Sequence, residues 1–149
     1  MNSYAVTTKY LTDIFSSNPL VNTVIFGSDL DINKTNIFPL VHIIPEGVPS
    51  ITNNRLEFSY EIAVVNQRQT PNNSKTDKIY GDNLIDNLNV AFAILGQEMN
   101  TIANQYNDFD ITLESMGQAQ PIIFADKNVL DGWLVQITLS VQNNFETCQ

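Results

Sequence analysis

Two stretches of strict alternation constrain this chain more than any other feature. From Arg55 to Val65, Leu56, Phe58, Tyr60, Ile62 and Val64 alternate with Arg55, Glu57, Ser59, Glu61 and Ala63. Near the C-terminus, Trp133, Val135, Ile137, Leu139 and Val141 alternate with Leu134, Gln136, Thr138, Ser140 and Gln142. Successive strand side chains point to opposite faces, so each stretch predicts a long strand with one apolar and one more polar face. Such a sheet needs a cover for its apolar face only.

Two helical patterns supply that cover. Asn2 or Ser3 can cap a first helix with Tyr4, Thr7, Leu11, Ile14 and Phe15 on one face, ended by Asn18 in a left-handed conformation and Pro19. Ser74 and Asp77 form a capping box at the head of a longer helix. Its stripe is Leu84, Leu88, Ala91, Leu95, Met99 and Ile102, widened by Ile85, Phe92 and Ile94. Gly96 inside it marks a bend or a close crossing. Leu20–Phe26 and Ile37–Ile44 read as further strands, the second an edge strand because it contains Pro39, with Pro45, Gly47 and Pro49 turning the chain after it. Phe109, Ile111 and Leu113 alternate in another, followed by Gly117 and Pro121. Strands grouped around a helix give an α+β expectation. It is one domain over residues 1–149, an antiparallel or mixed four- to five-stranded sheet with the N-terminal helix and the long helix packed on it.

Composition removes several function classes. With 7 Lys+Arg against 16 Asp+Glu the net charge is −9, and the bases are scattered, which argues against gripping a phosphate backbone. The single cysteine, Cys148, excludes an internal disulfide framework and a thiolate metal cluster. No apolar run reaches the roughly 18–20 residues that cross a bilayer, and the first residues lack the basic-then-apolar layout of a signal peptide. The expectation is a domain that works without a membrane. Charged residues are only 15% of the chain; 19 Asn and 9 Gln stand in their place.

Catalytic patterns are sparse. His42 is the only histidine and shares a strand face with Phe38, Leu40 and Ile44, so it reads as a satisfied, partly buried residue. Asp29-Leu30-Asp31-Ile32-Asn33 begins like a calcium loop, but Lys34 and Leu40 stand where the glycine and the glutamate belong. Asp82 and Asp86 lie one turn apart near the positive end of the long helix, and Asp108 and Asp110 flank a strand entry. There is no phosphate loop, dinucleotide fingerprint, zinc-protease motif or nucleophile elbow. The expectation is a non-enzymatic protein with no catalytic residue, cofactor or metal. The rival reading is a ligand-binding domain with an apolar pocket built from Phe92, Met99 and Trp133.

The more informative feature is the polar face of the two long strands. Glu57, Ser59 and Glu61 on one, and Gln136, Thr138, Ser140 and Gln142 on the other, include no lysine and few charges. Such surfaces suit wet protein–protein contacts. The polar loop carrying Pro71, Asn72, Asn73 and Ser74 is a second candidate contact with a neighbouring subunit or partner.

In this order of elements the chain resembles the tail-terminator (tail-completion) and neck ring proteins of bacteriophages. The resemblance spans nearly the whole chain. It rests on the N-terminal amphipathic helix, Phe38-Pro39-Leu40-Val41-His42-Ile43 before the long strand Leu56–Val65, the long helix, and the closing segment Gly132–Leu139. It implies a structural virion protein, assembled in the host cytoplasm, that forms a ring of six copies at the head–tail junction. The ring caps the tail tube and meets the head-connector proteins, while DNA passes through without specific binding. Head closure in a short-tailed phage is the alternative within the same class. An acidic ring of such subunits would keep DNA from sticking to the channel wall.

Overall fold

The computed structural model describes residues 3–27, 37–52, 54–68, 84–104, 110–125 and 130–143. Helix α1 (Ser3–Ser16) is followed by strands β1 (Thr23–Phe26), β2 (Leu40–Ile51) and β3 (Arg55–Gln67). Helix α2 (Leu84–Asn104) then leads to β4 (Thr112–Met116), β5 (Gln120–Ala125) and β6 (Leu130–Gln142). The fold is α+β, as expected, but the sheet has six strands among the described residues rather than four or five. It is mixed: β1 runs parallel to β2, and the other pairings are antiparallel.

The two alternating stretches pair with each other at the centre of the sheet, in the order β1-β2-β3-β6-β4. Their register is unbroken from Arg55 opposite Gln142 to Gln67 opposite Leu130. β4 and β5 lie one after the other along the outer side of β6, and the Gly117 N–H holds the segment between them to the Gln136 carbonyl at 2.7 Å. Both helices cover the same face. Leu11 and Phe15 of α1 and Ala91, Ile94, Leu95, Met99 and Ile102 of α2 pack on Val41, Ile43, Phe58, Tyr60, Ile62, Val64, Val135, Ile137 and Leu139. The opposite face carries no helix among the described residues.

Several local expectations are corrected. Asn18 ends α1 with its side chain rather than with a left-handed backbone: its amide donates to Gln97 Oε1 (3.0 Å) and Glu98 Oε1 (3.1 Å), and its oxygen accepts the Leu20 N–H. Pro39 precedes β2 instead of lying in it, and Pro45, Gly47 and Pro49 belong to β2 rather than to a turn. β1 reaches β2 only through Leu40–Ile43, so beyond that point the outer edge of β2 tolerates prolines. The register shifts between Glu46 and Ser50, where Gly47 adopts φ 71°, a conformation open to glycine. Pro121 lies inside β5, which is at the edge of the sheet, where a residue without an N–H is tolerated. Ile85 and Phe92 do not widen the buried stripe of α2; they are 59% and 54% exposed. A β-carbon on Gly96 would meet nothing within 4 Å, so no close crossing occurs there.

Candidate functional site

Pairing β3 with β6 brings the expected polar residues together. Glu57 lies opposite Ser140, Ser59 opposite Thr138 and Glu61 opposite Gln136, all on the helix-free face, with Gln142 at the end of the same row. Ser59 Oγ and Thr138 Oγ1 are 3.1 Å apart, forming a hydroxyl rung between the strands. Ser140 belongs to this group only as its floor: it is fully buried, donating to Glu114 Oε1 and accepting from Arg55 Nε at 2.9 Å. Arg55 heads the same polar row but is not among the contact residues expected from the sequence. Its guanidinium also donates to Asp110 Oδ2 at 3.0 Å and to the Ser140 carbonyl at 3.2 Å, closing one end of the face with a web of ion pairs. The rest of the patch is acidic or uncharged. Pro71, Asn72, Asn73 and Ser74 lie outside the described residues, as do Asp29–Asn33, Asp77, Asp82, Asp108 and Cys148.

A carboxyl pair lies beside this patch. Glu61 is opposite Ile44 and Glu46 opposite Ser59, so the two acids are diagonal neighbours across β2 and β3. Burial raises the pKa of Glu61 above the usual glutamate value; the charge of Glu46 and a hydrogen bond with it act in the same direction, while His42 opposes them. Glu46 Oε2 is buried and has no hydrogen-bond partner among the described residues. His42, 7% exposed, uses Nε2 to donate to the carbonyl of Gly27, the residue that follows β1. That bond commits the ring nitrogen to the backbone rather than offering it to a cleft.

The opposite, helix-bearing side carries an apolar groove of about 640 Å³ between α2, β4 and β6. Phe92, Met99 and Trp133, grouped by the sequence reading, do line it together, joined by Leu113, Met116 and Val135. Trp133 is fixed from two sides: its Nε1 donates to the Leu88 carbonyl at 2.9 Å, and its ring meets Phe92 edge-to-face at 5.4 Å. Met116 is 55% exposed and Phe92 54%, so both lips face solvent. Met116 was missed because an apolar residue on a strand periphery carries no periodic signal.

Sequence reasoning also missed a buried polar network under the first turns of α2. Arg68 clamps Asp131 with Nε to Oδ2 at 2.9 Å and Nη2 to Oδ1 at 2.5 Å. Asn87 Nδ2 donates to the Gln67 carbonyl at 3.2 Å and to Asp131 Oδ2 at 3.3 Å, and Asn87 Oδ1 accepts from Asn66. The network ties the ends of β3 and β6 to α2. The signal was available in outline: Asn66 and Asp131 continue the apolar parity of their strands, so both had to lie under the helices.

Among the described residues no group of three His, Cys, Asp or Glu is placed to hold a metal ion, and no helix is long and apolar enough to cross a membrane. No protein-family model and no curated protein matches the chain.

Proposed function

We propose that this chain is a structural virion protein of the bacteriophage tail-terminator or neck class, forming a ring that caps the tail tube and joins it to the head connector. The observation that carries this reading is the helix-free face, where Glu57, Ser59, Glu61, Gln136, Thr138 and Gln142 form one continuous lysine-free surface. Beyond the buried apolar cluster of Leu40, Val65 and Leu130 at one end of it, this face is lined by hydroxyls, amides and a few acids, which offer hydrogen bonds to a protein partner with little ion desolvation. The order of helix, strands, long helix and closing strand supports the resemblance that suggested the class. A negative net charge suits a ring through which DNA passes without adhering. Head closure in a short-tailed phage is a variant of the same reading.

A second reading is favoured by the groove at Phe92, Met99 and Trp133: a ligand-binding domain that takes an apolar molecule there. The mass of the purified protein across concentration and salt, alone and with tail-tube protein, separates the two. A discrete ring of six or more copies supports the virion reading. A strict monomer that ignores tube protein and takes up an apolar fluorescent probe overturns it in favour of the pocket.

A further inference from the structure

The irregular stretch of β2 lies between two anchors. On its far side the turn into β3 is held firmly: the Thr52 N–H and hydroxyl both donate to the Arg55 carbonyl at 2.9 Å, and Asn143 Nδ2 donates to the Thr52 carbonyl at 2.9 Å. On its near side the last residue in register before the shift is Glu46, opposite Ser59. Between the anchors little holds the strand. Beyond Ile43 its one strand neighbour among the described residues is β3, Pro49 has no N–H to give, and Gly47 adopts φ 71°. Beside this stretch is a cleft of about 390 Å³, lined by Tyr4 of α1 and by Gly47, Pro49, Ile51 and Phe58.

The near anchor is the carboxyl pair. Glu46 and Glu61 meet diagonally across β2 and β3 in a side-chain hydrogen bond, which two carboxyl groups can form only when one of them carries a proton. With both ionised, the buried Oε2 of Glu46 would face a second negative charge with no donor among the described residues to meet it. The surrounding groups do not compensate. His42 favours the charge on Glu61, but its Nε2 is committed to the Gly27 carbonyl. Gln136 and Thr138 on β6 are uncharged, and Glu57 on β3 adds charge of the same sign. Tyr4 reaches Glu46 from α1 across the cleft, and Arg55 is engaged with Asp110 and Ser140. We infer that one proton shared by Glu46 and Glu61 latches the irregular stretch of β2 to β3, and that its loss to solvent releases Glu46–Ser50 and widens the cleft beside Tyr4.

The test is amide hydrogen exchange of the full-length protein from pH 4 to pH 8, with the peptide covering Glu46–Ile51 compared at each pH between wild type and Glu46→Gln or Glu61→Gln. Either glutamine donates to the remaining acid whatever the pH, so both variants should stay protected; two of them guard against one that misfolds. Wild type should match them in acid and lose protection as the pH rises. The loss is about tenfold for every pH unit by which the pair keeps its proton beyond the ordinary glutamate range. Glu57→Gln, which removes a charge from the same face but not from the pair, should behave as wild type. In a carbon-13 titration the Glu46 and Glu61 carboxyl signals should move together in the same two steps. A segment that exchanges freely at every pH, a wild type that never departs from the glutamine variants, or a pH dependence that survives both substitutions would overturn the latch. So would a Glu46–Ile51 peptide that exchanges no faster than the central β3 and β6 peptides, because the opening would then be unfolding of the whole domain.

Discussion

Gly132 of β6 lies so close to Val64 of β3 that a β-carbon on it would stand 1.8 Å from the Val64 carbonyl oxygen and 2.8 Å from the carbonyl carbon. Both obstacles are backbone atoms of the central strand pair, so no side-chain rotation can relieve the overlap. Gly132→Ala therefore forces β3 and β6 apart where β5 also joins the sheet. The expected loss is about 3 kcal/mol or more, at the upper end of overpacking costs. Urea denaturation reads it directly; an unchanged midpoint would mean that the strands are not in this close approach.

The Arg68–Asp131 clamp is 5% and 0% exposed, and breaking it from one side strips a buried guanidinium of its bidentate carboxylate. Asp131→Ala should cost about 3–5 kcal/mol, the usual range for removing one member of a buried pair. It also removes a partner of Asn87, loosening the join between α2 and the sheet. Replacing both charges together, Arg68→Met with Asp131→Ala, should cost less than Asp131→Ala alone, since no buried ion is then left behind. A thermodynamic cycle of the two substitutions measures the coupling; strictly additive losses would show that the clamp contributes nothing as a pair.

These two features also mark the limits of what the sequence makes legible. The strands Arg55–Val65 and Trp133–Gln142 could be read directly because each has one packed face, which imposes a period of two. The polar residues of their open face followed from the same parity, and the register placed them together. Gly132 looked like any strand glycine, because its need comes from the backbone of Val64, on a strand far from it in sequence. The edge of the sheet was misjudged for a related reason: Pro45, Pro49 and Pro121 forbid central strands but not edges, and edge position is a tertiary fact. The period of α2 places Phe92 in the core, yet α2 is rotated so that Ala91 and Leu95 are buried and Phe92 stands half-exposed at the groove, edge-to-face with Trp133. Among the polar residues, Ser140 shows that parity identifies a face without revealing what else reaches it, here Arg55 and Glu114.

Tyr60 connects the core to alkaline stability. Its side chain is fully buried beneath α1, with its hydroxyl 3.1 Å from Thr8 Oγ1 and its ring stacked on Tyr4. Burial pushes the phenol up to about 12, the Thr8 hydrogen bond opposing the shift only in part. Because the folded value lies above the ordinary 10, the resulting stability is fully present below pH 10 and is lost as the pH rises through about 12. Two units correspond to roughly 2–3 kcal/mol. In an ultraviolet titration one of the five tyrosines should ionise late and together with unfolding, and Tyr60→Phe should flatten that alkaline loss. Five phenols titrating together near their ordinary value, with the fold intact, would contradict the burial of Tyr60.

The Glu46–Glu61 pair makes the opposite statement about neutral pH. Glu61 binds its proton more tightly folded than unfolded, chiefly through burial and then through Glu46. Its stabilising contribution is thus complete in acid, below the ordinary glutamate range, and lost as the pH rises through its raised folded value. Glu61→Gln keeps the shape and a hydrogen-bond donor for Glu46 while removing the charge that burial and Glu46 both penalise. The variant should be more stable than wild type at pH 7, and the advantage should shrink as the pH is lowered and wild-type Glu61 takes up its proton. Thermal midpoints of the two proteins measured from pH 4 to pH 8 give the comparison. A constant difference across that range would show that the proton on Glu61 is not linked to folding, and would remove the carboxyl pair from the account of the helix-free face.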